Sequence, residues 1–133
     1  LINTTFNKIL KSFGTFHFAS KEDEINIATA LYGSGPAVIA FLVNAFLAAS
    51  KNISPKSKLN ESDVIHLFQN VISINDSSQK LEKFVKSIAS KKGTTQAGIH
   101  FLKSQNLKKI MYTTLHRAYK RAKEISIEKQ GHK

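Results

Sequence analysis

The most restrictive feature of this 133-residue chain is a stretch with no polar face. From Ala37 to Ala49 every residue except Asn44 is apolar. Successive residues of an α-helix point about 100° apart, so a helix built on this run is greasy on nearly all sides. Such a helix must be surrounded. The run is shorter than the roughly 20 residues of a membrane span, which predicts a central, buried helix and no bilayer crossing. Pro36 suits the first turn of this helix, where a missing N–H costs nothing, and Ser34 or Gly35 can cap it. The spacing predicts a helix from Pro36 to about Ser50, opened by Gly33-Ser34-Gly35-Pro36 after a shorter helical stretch over Lys21 to Leu31.

The remaining segments supply amphipathic helices. Ile2, Phe6, Ile9, Leu10 and Phe13 recur at helical spacing and are closed by Gly14. Thr15-Phe16-His17-Phe18 then alternates polar and aromatic residues, the pattern of a strand. A lone strand needs a partner for its backbone groups, and no second strand is evident downstream. Residues 1–20 thus read as the end of a sheet-containing domain and 21–133 as a helical one. Asn60, with Asp63 three residues on, predicts a capped helix carrying Val64, Leu67, Phe68, Val71 and Ile72. Asn75 to Ser78 break it, and Leu81, Phe84, Val85 and Ile88 mark another helix. After the loop Ser90 to Thr95, in which Thr94 or Thr95 can cap, comes a helix with Ile99 and Leu102. Asn106 suits a left-handed residue at its end, and a final helix runs from Leu107 to about Glu128.

Composition narrows the chemistry. With no cysteine there is no disulfide, thiolate metal site or cysteine nucleophile, which fits a reducing, cytoplasmic setting. His17, His66, His100, His116 and His132 never pair at i,i+3 or i,i+4, so no metal site is expected. The net charge of +11 attracts polyanions, yet the lysines are scattered from Lys8 to Lys133. A solvated basic surface accounts for them better than a nucleic-acid footprint. Gly33-Ser34-Gly35 follows no buried strand and lacks the further residues of a phosphate loop, so it reads as a bend into the central helix.

Two segments resemble a known family. Ala28-Thr29-Ala30-Leu31-Tyr32-Gly33-Ser34-Gly35-Pro36-Ala37 resembles the TALSGSGPAY segment of the pyrroline-5-carboxylate reductases. Ile88 to Ile99, reading IASKKGTTQAGI, is close to that family's VTSPGGTTIAGI, and Tyr119 to Glu124 is similar to its terminal helix. The resemblance implies an all-α bundle that forms an intertwined homodimer, preceded by the helix–strand end of a Rossmann domain. It implies hydride transfer from NAD(P)H to the cyclic imine carbon of 1-pyrroline-5-carboxylate, the step that makes proline. It also implies that Ser90, Gly93, Thr94 and Thr95 bind the substrate carboxylate, with Thr95 foremost; capping by the threonines is the other reading. No catalytic residue is assigned. The cofactor domain is missing, so no NAD(P)H binding or turnover is expected of this chain alone. Lys91 and Lys92 stand at the family's Pro and Gly, Tyr32 at a Ser, Val38 at an aromatic, and Ser78 near a common Glu. These departures, with Leu1 in first place, lead to the expectation of a fragment or a decaying reading frame. The alternatives are a non-enzymatic dimerisation remnant of a split gene, pairing with a separate nucleotide-binding polypeptide, and a small basic nucleic-acid-binding protein.

Overall fold

The computed structural model describes residues 4–14, 16–53, 55, 56, 58, 60–74 and 77–130. Its elements are α1 (Thr4–Ser12), α2 (Glu22–Ala28), a π-helical turn (Thr29–Ser34), α3 (Gly35–Ile53), α4 (Glu61–Ile74), α5 (Ser78–Ile88), α6 (Thr94–Ser104) and α7 (Leu107–Gln130). The all-α class is thus as expected, and Leu1 to Asn3 of the first predicted helix lie outside the described residues. The strand predicted at Thr15 to Phe18 is not formed. Thr15 lies outside the described residues, and Phe16 to Ala19 carry no regular structure. A strand needs a neighbour for its N–H and C=O groups, and no strand occurs among the described residues. Phe16 and Phe18 instead meet edge to face, their ring centroids 5.3 Å apart.

The chain also departs from expectation at Gly33-Ser34-Gly35-Pro36. No break occurs there, and neither Ser34 nor Gly35 acts as a cap. Thr29 to Ser34 widen into the π turn, and Gly35 continues with helical angles, φ −53° and ψ −47°. Pro36 lacks an N–H and crowds the carbonyl four residues back, and a widened turn just before it accommodates both. The outcome is one helical rod of 32 residues, Glu22–Ile53. Its length and apolarity now suffice for a membrane span, unlike those of the shorter run. Its first turn is engaged elsewhere: the Tyr119 hydroxyl donates to Asp23 and the Ser126 hydroxyl to Glu22, at 2.5 and 3.0 Å. The Asp23 carboxylate raises the Tyr119 phenol above its ordinary pKa, chiefly through this hydrogen bond.

These bonds lay α7 along α2 and the π turn, which is the chain's own core. Ala30 is buried there, beside a narrow cleft of about 190 Å³ between Ile27, Leu31 and the Tyr112, Leu115 and Tyr119 side of α7. The helix of α2 is started by Glu24, which accepts the Ser20 backbone N–H at 2.7 Å and its hydroxyl at 2.8 Å. The backbone bond, then the hydroxyl, hold the Glu24 carboxyl below its usual pKa. At the far end of the rod, α4 folds back on α3. Phe46 and Phe68 meet edge to face at 5.4 Å, and Lys51 pairs with Glu61 at 2.5 Å. The capping box is present as predicted: Asp63 N–H donates to Asn60 at 3.0 Å, and Asn60 N–H to Asp63 at 3.2 Å.

The central helix, however, is not surrounded within one chain. Phe41 is 72% and Ile39 63% exposed, and among the described residues only Ala30 and Val64 are buried hydrophobics. The accessible surface is 11635 Å². A compact monomer of 14.8 kDa exposes about 7,000 Å² by the usual size scaling. The difference is on the order of 4,600 Å², and the exposed apolar side chains of α3, such as Ile39, Phe41 and Phe46, belong to it.

Candidate anion-binding turn at the head of helix α6

Helix α5 ends with Ala89 N–H bonded to the Val85 carbonyl at 3.0 Å, and the chain then turns sharply into α6. Gly93 N–H closes a four-residue turn on the Ser90 carbonyl at 3.0 Å. Lys92, third in this turn, has φ +62°. A positive φ at the third position alone is the mark of a type II turn, which favours Pro second and Gly third. The family's Pro-Gly meets that demand directly. Here Lys91 and Lys92 fill the same places and the turn still forms.

Gly93 is required for a different reason. Its φ is an ordinary −82°. A Cβ there would lie 2.4 Å from the Ser90 hydroxyl oxygen and 3.1 Å from the Ser90 carbonyl oxygen. The close approach of residues 90 and 93 therefore excludes a side chain.

Gly93 is also the N-cap of α6, and no side chain caps the helix. The capping reading of Thr94 and Thr95 is thereby corrected: they occupy the first two helical positions, one residue too late to cap. Among the described residues neither hydroxyl has a hydrogen-bond partner; Thr95 is half-buried, while Thr94 and Ser90 are exposed. The N–H groups of Thr94, Thr95 and Gln96 belong to the helix's first turn and have no carbonyl to bond within it. They coincide with the positive end of the helix dipole. Lys91 and Lys92 add two charges, and no carboxylate lines the adjoining hollow of about 320 Å³ formed by Lys92, Gly93, Gln96, Ala97 and His100. Such a turn can accept a small anion.

The structure brings Ser90, Gly93, Thr94 and Thr95 together at this turn. Gly33 to Pro36 lie elsewhere, at the junction of α3 with the π turn, which packs against α7. One participant escaped the sequence reading. The Gln96 side-chain oxygen accepts the Lys92 N–H at 2.7 Å. The available signal was a Gln at the third helical position, where side chains commonly reach back over the helix start. No group of three potential metal ligands occurs among the described residues. Nor do the described residues include the strand-to-helix glycine turn that holds a dinucleotide pyrophosphate, because Gly33 and Gly35 sit inside a helical rod.

A helical rod left uncovered by its own chain, carrying α7 at one end and α4 at the other, defines a helical association domain. Such a unit completes its core against another chain. The particular family is also clear: the chain belongs to the pyrroline-5-carboxylate reductase dimerisation family, which it matches over residues 22–125. The pyrroline-5-carboxylate reductase of Staphylococcus haemolyticus is 30% identical over 121 residues, 90% of this chain and 44% of that protein. That of Staphylococcus aureus strain COL is 32% identical over the same shares. The crystal structure of Plasmodium falciparum pyrroline carboxylate reductase with NADP bound has the same fold, with a TM-score of 0.77 at 23% identity. The likeness covers 92% of this chain and 48% of that one. A Coxiella burnetii pyrroline-5-carboxylate reductase gives 0.72 at 26% identity, over 92% and 47%. The chain therefore spans a little under half the length of these relatives.

Proposed function

We propose that this chain is the dimerisation and substrate-binding part of a pyrroline-5-carboxylate reductase, acting in proline biosynthesis. The observation that carries the reading is the turn from Ser90 to Gly93, which presents unpaired N–H groups and the Thr95 hydroxyl at a helix start that carries Lys91 and Lys92 and adjoins a hollow lined by no carboxylate. In this reading the substrate carboxylate accepts hydrogen bonds from the N–H groups of Thr94, Thr95 and Gln96 and from the Thr95 and Ser90 hydroxyls. Fixed donors at a helix start hold a carboxylate in one orientation, which places the ring carbon to be reduced. The electron pair comes from NAD(P)H, and the described residues offer no cradle for it. The nucleotide-binding part is a separate domain or polypeptide, of which residues 1–20 form the end and to which residues 21–133 attach. The purified chain alone accordingly does not oxidise NADPH in the presence of pyrroline-5-carboxylate.

The uncovered face of α3 supports a homodimer. An excess of some 4,600 Å² per chain is more than one partner's share, about 1,000–2,500 Å², of an obligate dimer interface, so a second copy has ample surface to cover. The test joins light scattering at two protein concentrations with amide-shift mapping of added L-proline, the product. A dimer mass at both concentrations, with shifts centred on Ser90 to Gln96, is the expected result. A folded monomer would remove the dimer. Shifts elsewhere, or none, would remove the carboxylate site.

A further inference from the structure

Lys92 poses a physical problem that the fold solves locally. Its φ of +62° belongs to the region that glycine enters freely and that is strained for a residue with a Cβ. The preceding Lys91 does not help, since only a proline at that place would restrict the turn in advance. In a type II turn the N–H of the third residue takes no part in the closing hydrogen bond, so the Lys92 N–H is left available to an acceptor outside the turn. Gln96 supplies it. Its side-chain oxygen lies 2.7 Å from the Lys92 nitrogen, one helical turn further along the chain.

We propose that Gln96 is a positioning residue of the anion-binding turn, its side-chain carbonyl holding Lys92 in the left-handed conformation that glycine would adopt unaided. The pair then acts as one unit. Lys92 gives the turn a charge that glycine lacks, and Gln96 keeps the turn closed despite it. Its role in substrate binding rests on the carboxylate reading above, whereas its hold on the turn does not.

The experiment is a double-mutant cycle on the full chain: wild type, Gln96→Ile, Lys92→Gly and the double variant. Two readouts are taken, hydrogen exchange of the backbone amide at position 92 and the affinity for L-proline followed at the Thr95 amide. A single hydrogen bond of this kind corresponds to an effect of up to about tenfold. Gln96→Ile is expected to speed exchange at position 92 about tenfold and to weaken L-proline binding by a similar factor. Gln96→Glu keeps the acceptor and is expected to retain the protection. In the Lys92→Gly background, Gln96→Ile should change L-proline affinity less than about twofold, because glycine holds the turn without help. Equal losses in both backgrounds, or unchanged exchange in Gln96→Ile, would overturn the proposal. If the wild type binds no L-proline, the carboxylate reading fails, and exchange at position 92 still decides whether Gln96 holds the turn.

Discussion

Replacing Phe41 by alanine should dissociate the protein. Phe41 sits in the middle of α3 on a face shared with Ala37, Asn44, Ala45 and Ala48, all exposed in the single chain. Small residues around one large ring form the kind of surface that lets a second helix approach closely and seat the ring. With 72% of the side chain uncovered, and about 200 Å² available to a phenylalanine, roughly 140 Å² awaits burial. At about 25 cal/mol per Å² this corresponds to some 3.5 kcal/mol per chain, of which alanine retains a minor part. A loss of about 2–3 kcal/mol per chain occurs twice in a symmetric dimer, so the dissociation constant should rise by three to four orders of magnitude, at about 1.4 kcal/mol per tenfold. Sedimentation velocity over a dilution series reads this directly, with circular dichroism reporting any linked loss of helix. A dissociation constant within tenfold of wild type would mean that no partner covers Phe41, and the argument from exposed area would fail with it.

Three other perturbations follow from the geometry. Gly93→Ala should lower stability by about 1–3 kcal/mol through overpacking, read as a shift in the urea midpoint. Adding Ser90→Ala should recover only part of the loss, since the Ser90 carbonyl remains 3.1 Å away; full recovery would refute the steric account. Asn60→Ala removes the cap of α4 and should cost about 1 kcal/mol, with exchange speeding first at the Asp63 amide. The Tyr119 phenol should ionise above the ordinary value of 10.0, the Asp23 hydrogen bond being the main cause. A raised folded-state pKa means that its contribution to stability is fully present below the unfolded pKa and lost as pH rises through the folded one. Tyr119→Phe should therefore remove the highest-titrating step from the tyrosinate absorbance curve, and a curve that loses a lower step instead would show that the Asp23 bond is absent in solution.

Much of this protein is legible along the chain, because the decisive interactions there are short-range. Apolar spacing marks the helices, Asn60 and Asp63 cap one another three residues apart, and Asn106 takes φ +51° at the end of α6 as its side chain allows. The grouping of Ser90, Gly93, Thr94 and Thr95 was equally visible, being contiguous. What stayed hidden depended on balance between competing local terms or on distance. Gly33 to Pro36 carry every residue type that breaks a helix, yet a π turn absorbs the proline and the rod runs on, because α7 packs along it and rewards continuity. Thr94 and Thr95 lost the cap to Gly93, since only glycine tolerates the approach of Ser90. The Asp23–Tyr119 and Glu22–Ser126 bonds join residues 96 and 104 positions apart, which no periodicity reveals. The run from Ala37 to Ala49 dictates, before any folding, a helix apolar on nearly all sides that must be covered. What covers it depends on where distant elements pack: α7 and α4 each reach one end of the rod, and the face between them is left for another chain.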